Sequence, residues 1–547
     1  MQEYVTDQNN EKEQQMLDKY EQRSKNGYLK INKNQELKNI EFLSKLDIQK
    51  LTIVNCPNIK PILMGNIIKE LKIEECNLKN IDGLELNYLE VLNLPRNQLS
   101  SINNIGRFKY LKELDISFNN FGDIMFLQGI LVSKLQIQYN QINDISVLTS
   151  LSDLKELDIS YNYNVDIKPL SSLSQLTKLY VSECNVTNIE VLKSLNNLED
   201  LDISYFKGNW NYKLDNQTKL MKLNIKQIHI IDYSILKQIP HLKELDLSQN
   251  DIVSLYTNKK LIQLKKLELQ RNQLINITQI SKFINLEYLD LKFNKNVDIR
   301  PLCTLVSLTY LNLRECNIQH LSSLIDLINL KELDISYNPG IDISGLEHMK
   351  NLVQLQLECN KLKNINVLKY LEKLKILKIN NNILTDIIAL QYLTKLIQLK
   401  INNCNLFEIS ALRPLIYLEY LDISRNSVMN LSPLKEMKQL TQLNIICNKV
   451  CDITAVQELP YFDQFMLQSQ KQQTIIEYNL STKMQAFFDA TTLQREIHRK
   501  RINHKIVRYS IQQKTKDLLQ NQATIHFSFS NSVALLFLSL NINEIQQ

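Results

Sequence analysis

Residues 154–162 read LKELDISYN, and the phase of this nonapeptide decides the fold. Leu157 and Ile159 alternate with Glu156, Asp158 and Ser160. The two apolar side chains therefore leave one side of a short strand and the polar ones leave the other. Asn162 closes the strand, where its amide can hydrogen-bond backbone groups of neighbouring turns. One such unit cannot bury its apolar side alone, so it needs neighbours of the same kind.

The neighbours are there in both directions. The pattern LxxLxLxxN starts with the closing residue Asn34, and from Asn140 to Asn448 its closing position returns every 22 residues. One more step reaches Gln470, where Phe462, Phe465 and Leu467 keep the apolar phase. A strict repeat of this length implies stacked coils around one continuous core, despite a chain of 547 residues. The expected fold is an α/β solenoid. A parallel sheet of about 20 short strands forms its concave side, and short helices or 3-10 turns form its convex side.

Cys replaces the closing Asn at Cys56, Cys76, Cys184, Cys316 and Cys404. Cys is small, buries easily and carries a weak donor, so these residues read as structural. Successive ones sit a coil or more apart and no CxxC occurs, which argues against a metal centre. The pattern fails at Phe206 and Ile228, and the only Trp, Trp210, lies between them. Trp210 reads either as filler for the broken coil or as an anchor for a partner. Four residues past the closing position, Asp144, Asp166, Asn276, Asp298, Asp342 and Asp386 fit turns that bond their own backbone. Pro169, Pro301 and Pro433, three residues further on, suit the first turn of a convex helix or 3-10 segment. These residues are scaffold, although they resemble paired carboxylates.

The polar positions of the strands supply the candidate binding surface. Four residues before the closing position stand Asp115, Asp158, Asp202, Asp246, Asp290, Asp334 and Asp422. Most fall on alternate strands, roughly 10 Å apart at the usual strand spacing. Two residues earlier, Glu113, Lys134, Glu156, Lys178, Asp200, Lys222, Glu244 and Lys266 alternate in sign, which suits pairing across the sheet. The Asp row has few sequence partners of its own and is the better candidate for contact with a ligand. Tyr161, Tyr205, Phe293 and Tyr337 stand just before the closing residue, with Tyr180 and Tyr310 nearby. Aromatic and charged side chains on a sheet are common material of protein interfaces. Lateral packing is the competing reading for the rings.

Residues 1–28 read as a helical N-terminal cap behind a flexible tip, with Met16, Leu17 and Tyr20 as its contacts. Residues 29–470 are the solenoid. Residues 471–547 form a basic, helix-prone C-terminal region carrying Arg495, Arg499, Lys500, Arg501, Lys505, Arg508, Lys514 and Lys516. A solvated helix face is the first reading of that run, and contact with nucleic acid or an acidic partner the second. Phe527–Leu540 is 14 residues long with four Ser and one Asn, short of the about 20 apolar residues of a membrane span.

The net charge of +6 is too weak to imply nucleic acid by itself. With nine Cys, an odd number, and no secretory leader at the start, reduced thiols and a cytoplasmic location are expected, with the nucleus second. No HExxH, GxSxG, P-loop or kinase signature occurs, so no catalytic, cofactor-binding or metal-binding residue is assigned and no enzyme is expected.

The run LxxLxLxxNxIxDIxxLxxL at 22 residues resembles the leucine-rich-repeat regulatory subunits of protein phosphatase 1, and is similar to the repeats of bacterial internalins. The resemblance covers about residues 29–470 and implies a leucine-rich-repeat horseshoe that binds a protein through its concave face. The functional expectation is a monomeric interaction scaffold for another protein, without a membrane contact. A phosphatase regulatory subunit and a ribonucleoprotein adaptor using the basic C-terminal region are the alternatives.

Overall fold

The computed structural model describes residues 15–460, apart from 16, 23, 66, 187, 208–213, 215, 216, 230–238, 256–260, 451 and 458. Twenty strands make one parallel sheet, from Tyr28–Asn32 to Gln442–Asn444. Register advances one coil per strand. Leu157 faces Leu135 on one side and Leu179 on the other. The inward residues Leu157, Ile159, Leu170, Leu173 and Leu176 are fully buried. Each coil thus places its leucines over those of the next, and the sheet and the core grow together.

The strands are short because the backbone reverses hand straight after them. In every coil the residue before the closing position is left-handed, from Lys33 at φ 54° to Cys447 at φ 58°. None of these residues is Gly. The closing Asn then ties coils together. Asn162 Nδ2 donates to the carbonyls of Ile137 at 3.0 Å and Ile159 at 2.9 Å, and its Oδ1 accepts the Ile142 N–H at 3.0 Å. Where Cys takes the position, the thiol donates to the same carbonyl of the preceding coil. Cys184 reaches Ile159 O at 3.0 Å, Cys316 reaches Leu291 O at 3.1 Å and Cys404 reaches Ile379 O at 3.2 Å. Burial pushes these three thiols up to about 12, so they stay protonated donors. Phe206 and Ile228 fill the same position with buried hydrocarbon.

On the convex side most coils form a 3-10 turn. Pro169, Pro301 and Pro433 sit in the first turn of Lys168–Ser172, Arg300–Thr304 and Ser432–Leu434. The acidic residues ahead of these turns bond their own backbone: Asp144 Oδ1 accepts the Ser146 N–H at 2.8 Å and Asp166 Oδ1 accepts the Lys168 N–H at 2.9 Å. Those backbone bonds hold both carboxyls below the ordinary range. Two early coils pair Leu63–Gly65 with Leu84–Leu86 instead.

At the N-terminal end residues 17–21 are helical. Leu17 and Tyr20 are buried, Tyr20 stacks on Phe42 at 6.0 Å, and its hydroxyl accepts Asn34 Nδ2 at 3.0 Å. Met16, Trp210, the coil ending at Gln470 and the region 471–547, including its basic run and Phe527–Leu540, lie outside the described residues. Among the described residues no helix is long and apolar enough to cross a membrane.

Candidate functional site

The register places the Asp column in single file on one sheet. Asp158 lies between Gln136 and Tyr180, Asp202 between Tyr180 and Asn224, and Asp246 between Asn224 and Glu268. Asp115, Asp158, Asp202, Asp246 and Asp422 are half-buried. The column is not partnerless, which corrects the sequence reading. Asp158 Oδ1 accepts the Ser160 N–H at 3.0 Å, and Asp115, Asp202, Asp246 and Asp422 hold the amides of Ser117, Ser204, Ser248 and Ser424 at 2.8–3.0 Å. The hydroxyls of Ser117, Ser204 and Ser424 donate to the same carboxylates. The carboxylate caps the strand just where the chain is about to turn left-handed.

Asp290 and Asp334 depart further from expectation, at 2% and 8% exposure. Lys292 Nζ lies 3.2 Å from Asp290 Oδ2, and Asn312 Nδ2 reaches the same oxygen at 3.5 Å. An Arg314–Glu358 ion pair at 3.3 Å joins the coils on either side of the one that carries Asp334. These two carboxylates are enclosed and offer no contact surface. Burial pushes the carboxyls of Asp115, Asp158, Asp246 and Asp290 above their ordinary range. At Asp158 the charges of Asp202 and Asp115 add to it, so the aligned carboxylates sense one another.

The row beside it neutralises itself. Lys134 and Lys178 both reach Glu156, at 2.9 and 3.0 Å, and Lys222 reaches Glu244 at 2.7 Å. Lys266 turns instead to Glu268 of its own strand, at 2.6 Å. Tyr180 joins this row by donating its hydroxyl to Asp200 Oδ2 at 2.9 Å. Such partly exposed pairs contribute up to about 1 kcal/mol each and mainly hold the sheet.

The rings form an edge built on the left-handed position. Phe118 stacks on Tyr139 at 4.1 Å and Tyr139 on Tyr161 at 3.9 Å, with planes 12° and 11° apart. The Arg96 guanidinium covers the open face of Phe118 at 4.2 Å. Further along, Lys226 stands over Tyr205, Arg271 over Phe293 at 4.5 Å and Arg314 over Tyr337 at 4.1 Å. Tyr310 stacks on Tyr288 at 4.0 Å within the sheet. Tyr139 and Tyr337 remain 40% and 38% exposed. The rings pack laterally, as one of the two readings expected, and Tyr139 and Tyr337 keep part of their surface open to solvent. The cations Arg96, Arg271 and Arg314 escaped the sequence reading. The signal was present, because Arg96 and Arg271 share the phase of Phe118 and Phe293, one coil before them.

This arrangement is a surface of stacked rings and guanidinium groups on the same coils as half-buried carboxylates. It suits recognition of another surface. Among the described residues no group of three or more His, Cys, Asp or Glu side chains is placed to hold a metal ion.

A leucine-rich-repeat family model matches residues 109–124 and 238–253. A search of curated proteins returned no match. Among solved structures, a leucine-rich-repeat protein of Leptospira interrogans is 23% identical, covers 69% of this chain and 93% of its own, and superposes with a TM-score of 0.51. An internalin of Listeria monocytogenes is 24% identical over 67% of this chain and 83% of its own, at a TM-score of 0.35. The functional domain of another Listeria monocytogenes internalin is 21% identical over 68% and 70%, at 0.42. The fold is the leucine-rich-repeat solenoid, as in the Leptospira interrogans protein.

Proposed function

We propose that this protein is an interaction scaffold that binds another protein across its sheet face. The observation that carries the reading is the stack Arg96–Phe118–Tyr139–Tyr161 beside Asp115 and Asp158. Rings locked face to face lose little freedom on binding, so their exposed edges contribute contact at low entropic cost. The half-buried carboxylates on the same coils would add negative charge for basic groups of the partner. Asp290 and Asp334 are left out of this surface, while Tyr139 and Tyr161 form its centre, flanked by Tyr180 and Tyr205.

The test is affinity capture from native cells with the wild-type chain and with Tyr139→Ser/Tyr161→Ser. A prey that is lost from the variant, while the melting temperature holds, supports the reading. An identical prey set from both proteins defeats it. Reversing the Asp charges is the poorer test, because each carboxylate also holds a strand end. The catalytic subunit of protein phosphatase 1 is one defined prey to include, since the sequence resemblance implies it.

A further inference from the structure

Between Asn360 and Asn426 the left-handed edge changes character. Earlier coils carry Tyr161, Tyr205, Phe293 and Tyr337 there, interspersed with longer polar residues such as Glu183, Gln227 and Glu315; these coils carry Asn381, Asn403 and Arg425. Short amides in place of rings leave a depression of about 380 Å³, bounded by Lys361, Asn381, Asn403, Asn405 and Arg425. All five are exposed. Asn403 Nδ2 donates to Asn381 Oδ1 at 2.9 Å, which fixes both amides side by side along the floor.

The charges around this depression are unbalanced. Lys361 and Arg425 make no ion pair among the described residues. Three residues before these two cations, Glu358 is engaged with Arg314 and Asp422 with the amide and hydroxyl of Ser424. On the adjoining strands Lys378 and Lys400 occupy paired positions. Lys378 bonds only the neutral Gln356 at 3.2 Å, while Lys400 lies over the Tyr420 ring at 5.3 Å and has Asp422 opposite it on the next strand. Like charges on facing strands destabilise a sheet.

We propose that this depression binds an extended acidic peptide segment. Lys361 and Arg425 stand three coils apart, roughly 14 Å along the sheet, the reach of about four extended residues. Asn side chains offer both a donor and an acceptor, which matches the alternating groups of an extended main chain. The cations at the two ends receive carboxylates. No aromatic ring lines the depression, whereas single-stranded nucleic acid sites combine cations with stacking rings. The site is separate from the Tyr139–Tyr161 surface and stands or falls without it.

The test uses the full chain and a fluorescent peptide of four Glu flanked by Gly-Ser, with a four-Gln peptide and a single-stranded RNA as comparisons. Anisotropy is expected to show binding of the Glu peptide that weakens with salt, and little binding of the Gln peptide. Lys361→Glu/Arg425→Glu should weaken the Glu peptide by roughly tenfold or more. Lys350→Glu, exposed and outside the depression, should leave it unchanged. If the double reversal lowers the melting temperature, Lys361→Gln/Arg425→Gln gives the same readout with less charge change. Equal binding of the two peptides, unchanged affinity in the double variants, or RNA bound more tightly than the Glu peptide and lost in the same variants would each overturn the proposal.

Discussion

Asp158 serves two roles that pull in opposite directions. Its Oδ1 caps the Ser160 amide, while its half-buried charge is held in a row with Asp115 and Asp202. Burial, with help from those neighbours, raises its folded carboxyl above the unfolded value. The folded state therefore binds the proton more readily, and this group's contribution to stability falls as pH rises through that window. Asp158→Asn keeps the accepting oxygen and removes the charge. Asn224 and Asn312 already make this bond at the same position, at 3.1 and 3.0 Å. The variant should melt higher than wild type at about pH 7 and lose its advantage as pH falls toward about 4. Asp158→Ala should instead cost about 1–3 kcal/mol, because the Ser160 amide loses its acceptor. Thermal melts across pH separate the two outcomes. The dipeptide spacing Asp-x-Ser carries the capping role openly in the sequence. It was overshadowed by the regular spacing of the carboxylates, which reads equally well as a binding row. Burial at Asp290 and Asp334 was not legible, since it depends on Lys292 and on an ion pair 44 residues long.

Each coil is held by one closing side chain, and the sequence states which. Asn338 donates to the carbonyls of Leu313 and Ile335 and accepts the amides of Cys316 and Ile318. Removing these bonds, with a further one to Ser336 O, by Asn338→Ala should cost about 3 kcal/mol or more in urea unfolding, as several buried groups lose their partner at once. The Cys variants of the position predict a chemical contrast. An alkylating reagent should modify the exposed Cys303 and Cys447 of the native protein. Cys184, Cys316 and Cys404 should react only after denaturation, because burial keeps their thiols protonated and out of reach. Mass mapping of the adducts checks this. At this scale the reading from pattern alone was nearly complete: strand phase, the turns led by Asp144 and Asp166, and the Pro positions all follow from residue type and interval. The left-handed residue before the closing position was hidden, because Tyr161, Glu183 and Arg271 share no side-chain property that announces a positive φ.

A stack in which each coil packs mainly on its two neighbours tolerates loss of a whole coil better than loss of half of one. Deleting residues 339–360 brings Asn338 next to Lys361 in phase and should leave a cooperative unfolding transition. Deleting residues 339–349 puts leucines on the wrong side and should abolish it, as circular dichroism melts would show. The same regularity has a metrical consequence. The stacked rings at Phe118–Tyr161 and the amide-floored depression at Lys361–Arg425 belong to one uninterrupted lattice of hydrogen bonds, so the interval between them comes in whole steps of about 4.8 Å. The protein is in this sense a graduated ruler with a grip near each end. A molecule that engages both grips would register the loss of a single graduation, even with every side chain of both left in place.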